Sequence, residues 1–242
     1  MKAFARYAVA FAIGISTIGT AVVASAAPLV ITTEDYPPFN MPKGTDVSGM
    51  STDILKKALE IAKVESGITV YPWKRAYDMA LNDSNTCVYS TTLTDQRQPL
   101  FKWIGPLVQD NWVLFAKGDS QIKISSLDDA KQYTIGSYLD DAKSQFLKDK
   151  GMKVDEAATD TVNPKKLDAG RIDLWVSGVF SGPYIANQQG VTGLKPVFTI
   201  KDAQMYLACN KGVPDDVVTK LNDTLKQMAS DGTTAGLQKA YQ

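Results

Sequence analysis

The sequence predicts an α/β protein, because apolar segments typical of strands alternate with amphipathic segments typical of helices along most of its 242 residues. In the first half, strand-like segments at 29–33, 68–71 and 86–89 enclose helix-like segments at 51–64 and 73–81. This order is typical of a parallel sheet covered by helices. With 44% hydrophobic residues, the chain has enough apolar side chains for one large core or two smaller ones.

The first strand and the first helix show the pattern clearly. Residues 29–33 are apolar and β-branched, and turn-forming residues at 35–39 end the strand. The first helix follows a turn at 46–49 and ends before Gly67, and its apolar face consists of Ile54, Ala58, Ile61 and Ala62. We expect this face to pack against the sheet.

The alternation restarts after a strand-like segment at 112–116. Further strands are expected at 133–138, 172–176, 196–200 and 205–209, and further helices at 141–150, 164–169, 182–189 and from Pro214 onward. A second α/β unit therefore spans about residues 110–202. Because no flexible Gly/Ser linker separates the units, we expect two lobes joined by ordered strands that permit hinge motion.

Residues 1–26 have the pattern of a secretory signal peptide. Lys2 and Arg6 provide a positive start, an uncharged apolar run covers 8–23, and small residues at 24–26 suit cleavage after Ala26. The run is also long enough for an uncleaved membrane anchor, which remains the alternative. Cleavage predicts export of the mature chain.

Export bears on the two cysteines, Cys87 and Cys209. In an oxidising compartment they are expected to form a disulfide, and the alternative is two buried thiols in separate strands.

The sequence has no histidine, which excludes Ser-His and Cys-His nucleophiles and the common zinc sites. We expect neither a metal nor a cofactor. Basic and acidic residues balance at 26 each, which argues against a nucleic-acid groove.

A polar cluster follows the third strand and consists of Ser90, Thr91, Thr92 and Arg97. A guanidinium matches two carboxylate oxygens with a planar fork of donors, and hydroxyls supply further hydrogen bonds. The cluster therefore predicts a carboxylate-binding site. The alternative is a polar turn in which Thr94 caps a short helix and Arg97 pairs with Asp95.

Two further groups of residues are candidates for the site. Trp73 offers an aromatic face and Arg75 a second anion contact near a helix start; the alternatives are a core or hinge filler and a solvated helix residue. Trp175 and Ser177 lie at the end of a predicted strand, where open α/β sheets bind ligands.

The chain resembles the family 3 extracellular solute-binding proteins, the polar amino-acid type that serves bacterial ABC importers. The resemblance covers almost all of the mature sequence. It rests on landmarks in a fixed order: Tyr36-Pro37-Pro38-Phe39; Gly49-Met50 with Asp53; Ser90, Thr92, Thr94 and Arg97; Phe101 to Pro106; Gly170-Arg171-Ile172-Asp173; and Lys220-Leu221-Asn222 with Gly232 and Tyr241.

This resemblance implies the type II periplasmic binding protein fold, with two lobes, each a mixed sheet flanked by helices, joined by two crossing strands. Lobe 1 would comprise 27–108 and 204–242, and lobe 2 would comprise 109–203, with the ligand between them. By the same resemblance, Arg97 binds a ligand carboxylate, Ser90, Thr91 and Thr92 assist through hydroxyls and amides, and Tyr36 packs on the ligand.

The sequence departs from the family pattern in the second lobe. The acidic residue that the family uses for a ligand α-amino group corresponds here to Gly178. The loop Tyr138-Leu139-Asp140-Asp141 replaces a commoner Gly-Thr pattern. Tyr138 and Asp141 are therefore candidate ligand contacts, although capping of the following helix is the role that we favour for Asp141.

The function expected from the resemblance is that of a periplasmic, monomeric solute-binding protein. It would capture a small carboxylate-bearing ligand, such as an amino acid or a related compound, and present it to an ABC permease in the inner membrane. The alternatives are an exported enzyme on the same fold, of dehydratase or lyase type, and a ligand-sensing partner of a receptor.

Overall fold

The computed structural model describes residues 27–241, so the predicted signal peptide lies outside the described residues. The strands are β1 (Leu29–Thr33), β2 (Met41–Lys43), β3 (Asp46–Ser48), β4 (Ser66–Val70), β5 (Thr86–Thr92), β6 (Lys102–Gln109), β7 (Trp112–Ala116), β8 (Thr134–Tyr138), β9 (Lys153–Ala157), β10 (Leu174–Gly178), β11 (Lys195–Lys201) and β12 (Gln204–Cys209). The helices are α1 (Met50–Ala62), α2 (Trp73–Asn82), α3 (Ala142–Asp149), α4 (Asn163–Asp168), α5 (Ser181–Gln188), α6 (Asp215–Ser230) and α7 (Thr233–Gln238).

The first sheet has the strand order β4-β1-β5-β12-β6. β1 is parallel to both β4 and β5, as the strand–helix alternation predicts. β12 is antiparallel to β5 and β6, which makes the sheet mixed. The apolar face of α1 is buried, with Ile54 and Leu55 fully inaccessible, whereas Ile61 on the predicted face is 43% exposed.

The second sheet has the strand order β11-β7-β10-β8-β9. β8 is parallel to β9 and β10, whereas β7 is antiparallel to β10 and β11. Strand β9 was not predicted from the sequence, because its residues Lys153–Ala157 include three charged side chains at a sheet edge. Strand β6 was not predicted either; it contains Pro106 and likewise lies at an edge, the position that a sheet tolerates for proline.

Two short connections join the sheets. The chain leaves the first sheet after β6 and enters the second at β7, and it returns between β11 and β12. The connections are bonded to each other, since the Asp110 amide donates to the Ala203 carbonyl at 2.9 Å and the Ala203 amide donates to Asn111 Oδ1 at 3.2 Å. The molecule therefore has two α/β lobes, and we propose that the lobe boundaries lie at these connections.

A disulfide joins Cys87 and Cys209, which are paired residues on the neighbouring strands β5 and β12. The predicted disulfide is confirmed over the alternative of two thiols. Both cysteines are fully buried. The bond therefore ties the strand that carries the predicted carboxylate cluster to the strand that returns from lobe 2.

Candidate ligand-binding site

A small cavity lies between the two lobes. Its free volume is about 10 Å³, roughly the space of one water molecule. Seven of the ten residues predicted to bind ligand line it, together with five that were not predicted. The lining residues are Glu34, Tyr36, Trp73, Ser90, Thr92, Arg97, Asp110, Trp112, Tyr138, Asp141, Lys143 and Met205. The cleft is closed in this structure.

The end of β5 forms the lobe 1 wall. Successive strand residues face opposite sides of a sheet, which places Ser90 and Thr92 on the cavity side. Ser90 has a left-handed backbone conformation, with φ at 57°, and its hydroxyl donates to Asn40 Oδ1 at 2.5 Å. Asn40, which the sequence analysis did not single out, thus orients the first hydroxyl of the cluster.

Arg97 occupies the turn after β5. Thr94 caps this turn as the polar-turn alternative predicts, since the Arg97 amide donates to Thr94 Oγ1 at 3.2 Å. Among the ion pairs of residues 27–241, however, none joins Arg97 to Asp95. The guanidinium instead reaches across the cleft, where Nη2 donates to the Asp140 carbonyl oxygen at 2.9 Å.

Aromatic rings position this guanidinium. The Arg97 Cζ lies 5.3 Å from the Trp73 ring centroid and 5.0 Å from that of Tyr77, both within cation–π range. Trp73 is 6% exposed, and its indole nitrogen donates to the same Asp140 carbonyl at 3.0 Å. Lobe 1 therefore contacts one backbone oxygen of lobe 2 through two side chains that line the cavity.

Lys143 lies in the lobe 2 wall and was missed by the sequence analysis. Its ammonium lies 5.5 Å from the Tyr36 ring centroid and 5.7 Å from that of Tyr138, and the residue is only 4% exposed. Asp141 Oδ1 accepts a hydrogen bond from Nζ at 3.2 Å. Coulombic attraction to Asp141 and other nearby acidic groups raises the pKa of Lys143 despite burial. A lysine in a helical first turn carries no sequence signal for such a position.

Asp141 caps α3. Its side chain accepts a hydrogen bond from the Lys143 amide at 3.1 Å while its other oxygen faces the Lys143 ammonium. The predicted capping role is thus confirmed, and the residue also lines the cavity.

The carboxylate of Asp110 fills the space beside Gly178. A Cβ atom added to Gly178 would lie 1.6 Å from Asp110 Oδ2, so no larger residue fits there without displacement of Asp110. Asp110 accepts hydrogen bonds from the Phe180 amide at 2.9 Å, the Ser181 hydroxyl at 2.7 Å and the Tyr36 hydroxyl at 3.3 Å. The Asp110 carboxylate therefore occupies the space that a side chain at position 178 would take.

Two other acidic groups lie near the cavity, Asp160, which is buried, and Glu34, which is half-buried. Burial raises the pKa of Glu34 to about 8, although Glu34 Oε1 accepts a hydrogen bond from the Tyr138 hydroxyl at 2.9 Å. Burial also raises the pKa of Asp160. Asp160 accepts hydrogen bonds from Asn163 Nδ2 at 2.9 Å, Trp175 Nε1 at 2.7 Å and Ser177 Oγ at 3.1 Å.

The structure does not bring the remaining predicted residues to the cavity. Thr91 points to the other face of β5, where its hydroxyl donates to the Val88 carbonyl at 3.1 Å. Trp175 and Ser177 are fully buried and bonded to Asp160 within lobe 2. Arg75 is exposed and stacks on Tyr71 at 4.4 Å.

A larger cavity of about 440 Å³ adjoins the small one. Arg97, Trp112 and Asp141 line both cavities, so the guanidinium lies at their boundary.

Among residues 27–241, there is no cluster of three or more His, Cys, Asp or Glu side chains suited to a metal ion. None of the described helices is long and apolar enough to cross a membrane.

Several solved structures share this fold. A histidine kinase sensor domain described as similar to periplasmic binding proteins superposes with a TM-score of 0.82 at 17% identity, over 89% of this chain and 96% of that one. An ancestral arginine-binding protein bound to arginine gives 0.75 at 22% identity, over 89% and 98%. The GluR0 ligand-binding core from Nostoc punctiforme, in complex with L-glutamate, gives 0.78 at 18% identity, over 88% and 99%.

These identities establish the fold alone, which is the predicted two-lobed type II periplasmic binding protein fold. No curated protein matches the chain by sequence. The model of the bacterial extracellular solute-binding proteins, family 3, matches residues 29–242. Since that match covers nearly the whole chain after its first 28 residues, this protein belongs to the family 3 bacterial extracellular solute-binding proteins.

Proposed function

We propose that this protein is the periplasmic solute-binding component of an ABC importer and that it captures a small carboxylate-bearing ligand by closure of the two lobes. One observation carries the proposal. The Arg97 guanidinium lines the inter-lobe cavity beside Ser90 and Thr92 and has no carboxylate partner among the ion pairs of the described chain.

The chemistry of the lobe 1 wall supports a carboxylate ligand. Arg97 offers a planar fork of donors, and Thr92 adds a hydroxyl that makes no hydrogen bond among the described residues. Each charge-assisted hydrogen bond contributes about 1.5–3 kcal/mol, and micromolar affinity requires about 8 kcal/mol. A few such bonds and one aromatic contact are therefore sufficient.

Closure of the lobes would complete the site. In this structure Arg97 and Trp73 both bond to the Asp140 carbonyl across the cleft. The Tyr36 hydroxyl lies 2.8 Å from Ser181 Oγ of lobe 2. These contacts support a closed form that excludes water and strengthens polar bonds to a ligand. The permease would recognise this closed form.

The cellular role follows from the family and the first residues of the sequence. Export by the predicted signal peptide would place the mature protein in the periplasm as a monomer, with the ligand and the permease as its partners. Members of the family bind solutes, so we propose binding without turnover. Formation of a product from the captured ligand would instead support the exported-enzyme alternative.

Calorimetry on an Arg97→Ala variant tests the proposal, with a ligand found by a thermal-shift screen of amino acids and small carboxylates. We expect a loss of at least about 3 kcal/mol, because the buried carboxylate loses its counter-charge. Arg75→Ala is the matched control, since Arg75 is exposed and outside the cavity, and it should bind normally. Unchanged affinity in Arg97→Ala would contradict the assignment.

A further inference from the structure

The Lys143 ammonium has unused hydrogen-bond donors in the cleft. It carries three N–H groups, and within residues 27–241 its one hydrogen bond is to Asp141 Oδ1 at 3.2 Å. The residue is 4% exposed and lines the cavity. A buried polar donor without a partner is costly. A ligand oxygen placed beside Lys143 would satisfy it.

The carboxylates around Lys143, by contrast, are already engaged. Both oxygens of Asp110 accept hydrogen bonds, from Phe180 and from Ser181 and Tyr36. Both oxygens of Asp160 accept them from Asn163, Trp175 and Ser177, and both oxygens of Asp141 accept them from Lys143. The lobe 2 wall therefore offers an ammonium no unoccupied carboxylate oxygen among these three groups.

Glu34 adds a further donor to the cavity from the lobe 1 side. Oε1 accepts a hydrogen bond from Tyr138, whereas Oε2 has no partner in the described part of the chain. Because burial raises the pKa of Glu34 to about 8, the group is mostly protonated at neutral pH and can donate from its free oxygen. The unsatisfied groups that face the cavity thus include two donors, Lys143 and Glu34, and the Thr92 hydroxyl, which can donate or accept.

The described part of the cleft offers a ligand carboxylate one unpaired cation. Lys143 is neutralised by Asp141, with their charged atoms 3.2 Å apart. Arg97 has no carboxylate within ion-pair distance in the described chain. A ligand carboxylate would balance Arg97, whereas a second carboxylate near Asp110 and Asp160 would meet like charges.

From these contacts we infer that the ligand is a monocarboxylate with an uncharged oxygen acceptor, as in a 2-hydroxy or 2-oxo acid, in place of the α-ammonium of an amino acid. Lys143 donates to that oxygen, while Arg97 holds the carboxylate. The inference rests on the proposed carboxylate-binding function and specifies its ligand class.

Calorimetry with matched compounds tests the ligand class on the wild-type protein. The probes are 2-hydroxy, 2-oxo and L-amino acids with the same methyl, isobutyl or benzyl side chain. We expect the oxygen-bearing acids to bind at least about tenfold more tightly than the amino acid with the same side chain, the effect of one well-placed hydrogen bond. Equal or tighter binding of the amino acids overturns the inference and leaves the carboxylate function standing. If no compound binds at millimolar concentration, both are overturned.

A Lys143→Met variant tests the residue itself. We expect about tenfold to a hundredfold weaker binding of the preferred acid and a smaller preference over its amino-acid analogue. Lys150→Met, at the exposed end of the same helix, is the matched control and should behave as wild type. Retained preference in a folded Lys143→Met protein overturns the role of Lys143. If that variant does not fold, the wild-type series still decides the ligand class.

Discussion

The two walls of the cleft differ in how far their polar groups are already satisfied. In the lobe 1 wall, Arg97 has no ion-pair partner and Thr92 no hydrogen-bond partner for its hydroxyl within the described residues. In the lobe 2 wall, Asp110 and Asp160 are held by hydrogen bonds from their own lobe and from Tyr36. The first wall is arranged to receive a ligand group. The second is largely complete by itself and adds mainly the Lys143 ammonium.

The walls also differ in what holds them in place. The Cys87–Cys209 disulfide lies only three residues before Ser90 and clamps β5 to β12. The lobe 2 wall depends on buried carboxylates and the hydrogen bonds that they accept. A covalent support on one side and a polar network on the other predict different responses to substitution.

Removal of the disulfide is expected to lower the unfolding free energy more than any other change proposed here for the two walls. A Cys87→Ala/Cys209→Ala double variant should lose about 2–5 kcal/mol of unfolding free energy, since the bond closes a long loop of the unfolded chain. The two cysteines are 122 positions apart. Urea unfolding followed by circular dichroism measures the loss.

The reduced wild-type protein provides the control for the cysteine substitutions. It should show the same loss as the double variant, because both lack the covalent bond. Unfolding midpoints within error of the oxidised protein would contradict a structural role for the disulfide and remove this difference between the walls.

A smaller loss of unfolding free energy is expected when Gly178 is changed to alanine. The new Cβ would overlap Asp110 Oδ2, and overpacking of this kind costs about 1–3 kcal/mol. Gly67→Ala is the matched control, because Gly67 also lies in a strand but an added Cβ there meets no atom within 4 Å. Urea unfolding of the two variants gives the comparison.

A double variant shows whether Asp110 is the cause. In Gly178→Ala/Asp110→Ala, the new Cβ no longer overlaps a carboxylate oxygen. The double variant should therefore lose less unfolding free energy than the sum of the losses in the two single variants. If the two losses of unfolding free energy were strictly additive, Asp110 would not occupy the space beside position 178. The description of the lobe 2 wall would then be wrong.

The sequence predicted the lobe 1 wall better than the lobe 2 wall for a physical reason. Ser90, Thr92 and Arg97 are close in sequence and follow one strand, so local pattern brings them together. Asp110 and Lys143 are distant in sequence and come together only when lobe 2 folds. Neither has a local signal.

The errors have a similar origin. Thr91 was grouped with its neighbours, although strand alternation turns it into the core. Trp175 was placed by the rule for strand ends, but its indole is bonded to Asp160 below the surface of the cleft. The alternation of strands and helices predicted most strands of the two five-stranded sheets, and the strands missed there are β6 and β9, edge strands with proline or charged residues. The short strands β2 and β3, which pair with each other, were also missed.

The smallest expected effect is a pH dependence of stability. It comes from Glu34 of lobe 1, which accepts a hydrogen bond from Tyr138 of lobe 2. Burial raises the pKa of Glu34 from 4.5 to about 8, so the folded protein holds a proton that the unfolded chain releases between these values. The contribution of Glu34 to stability therefore falls as pH rises through this window. Glu34→Gln, which is neutral throughout, should gain stability relative to wild type as the pH increases.

Thermal unfolding at several pH values between 4.5 and 8 measures this gain. Glu65→Gln, a change at an exposed carboxyl on the same lobe, is the control and should follow the wild-type curve. Parallel curves for wild type and Glu34→Gln would mean that Glu34 is already charged in the closed cleft. The cleft would then contain one more acceptor and one donor fewer, and the lobe 1 wall, to which Glu34 belongs, would offer an acceptor as well as donors.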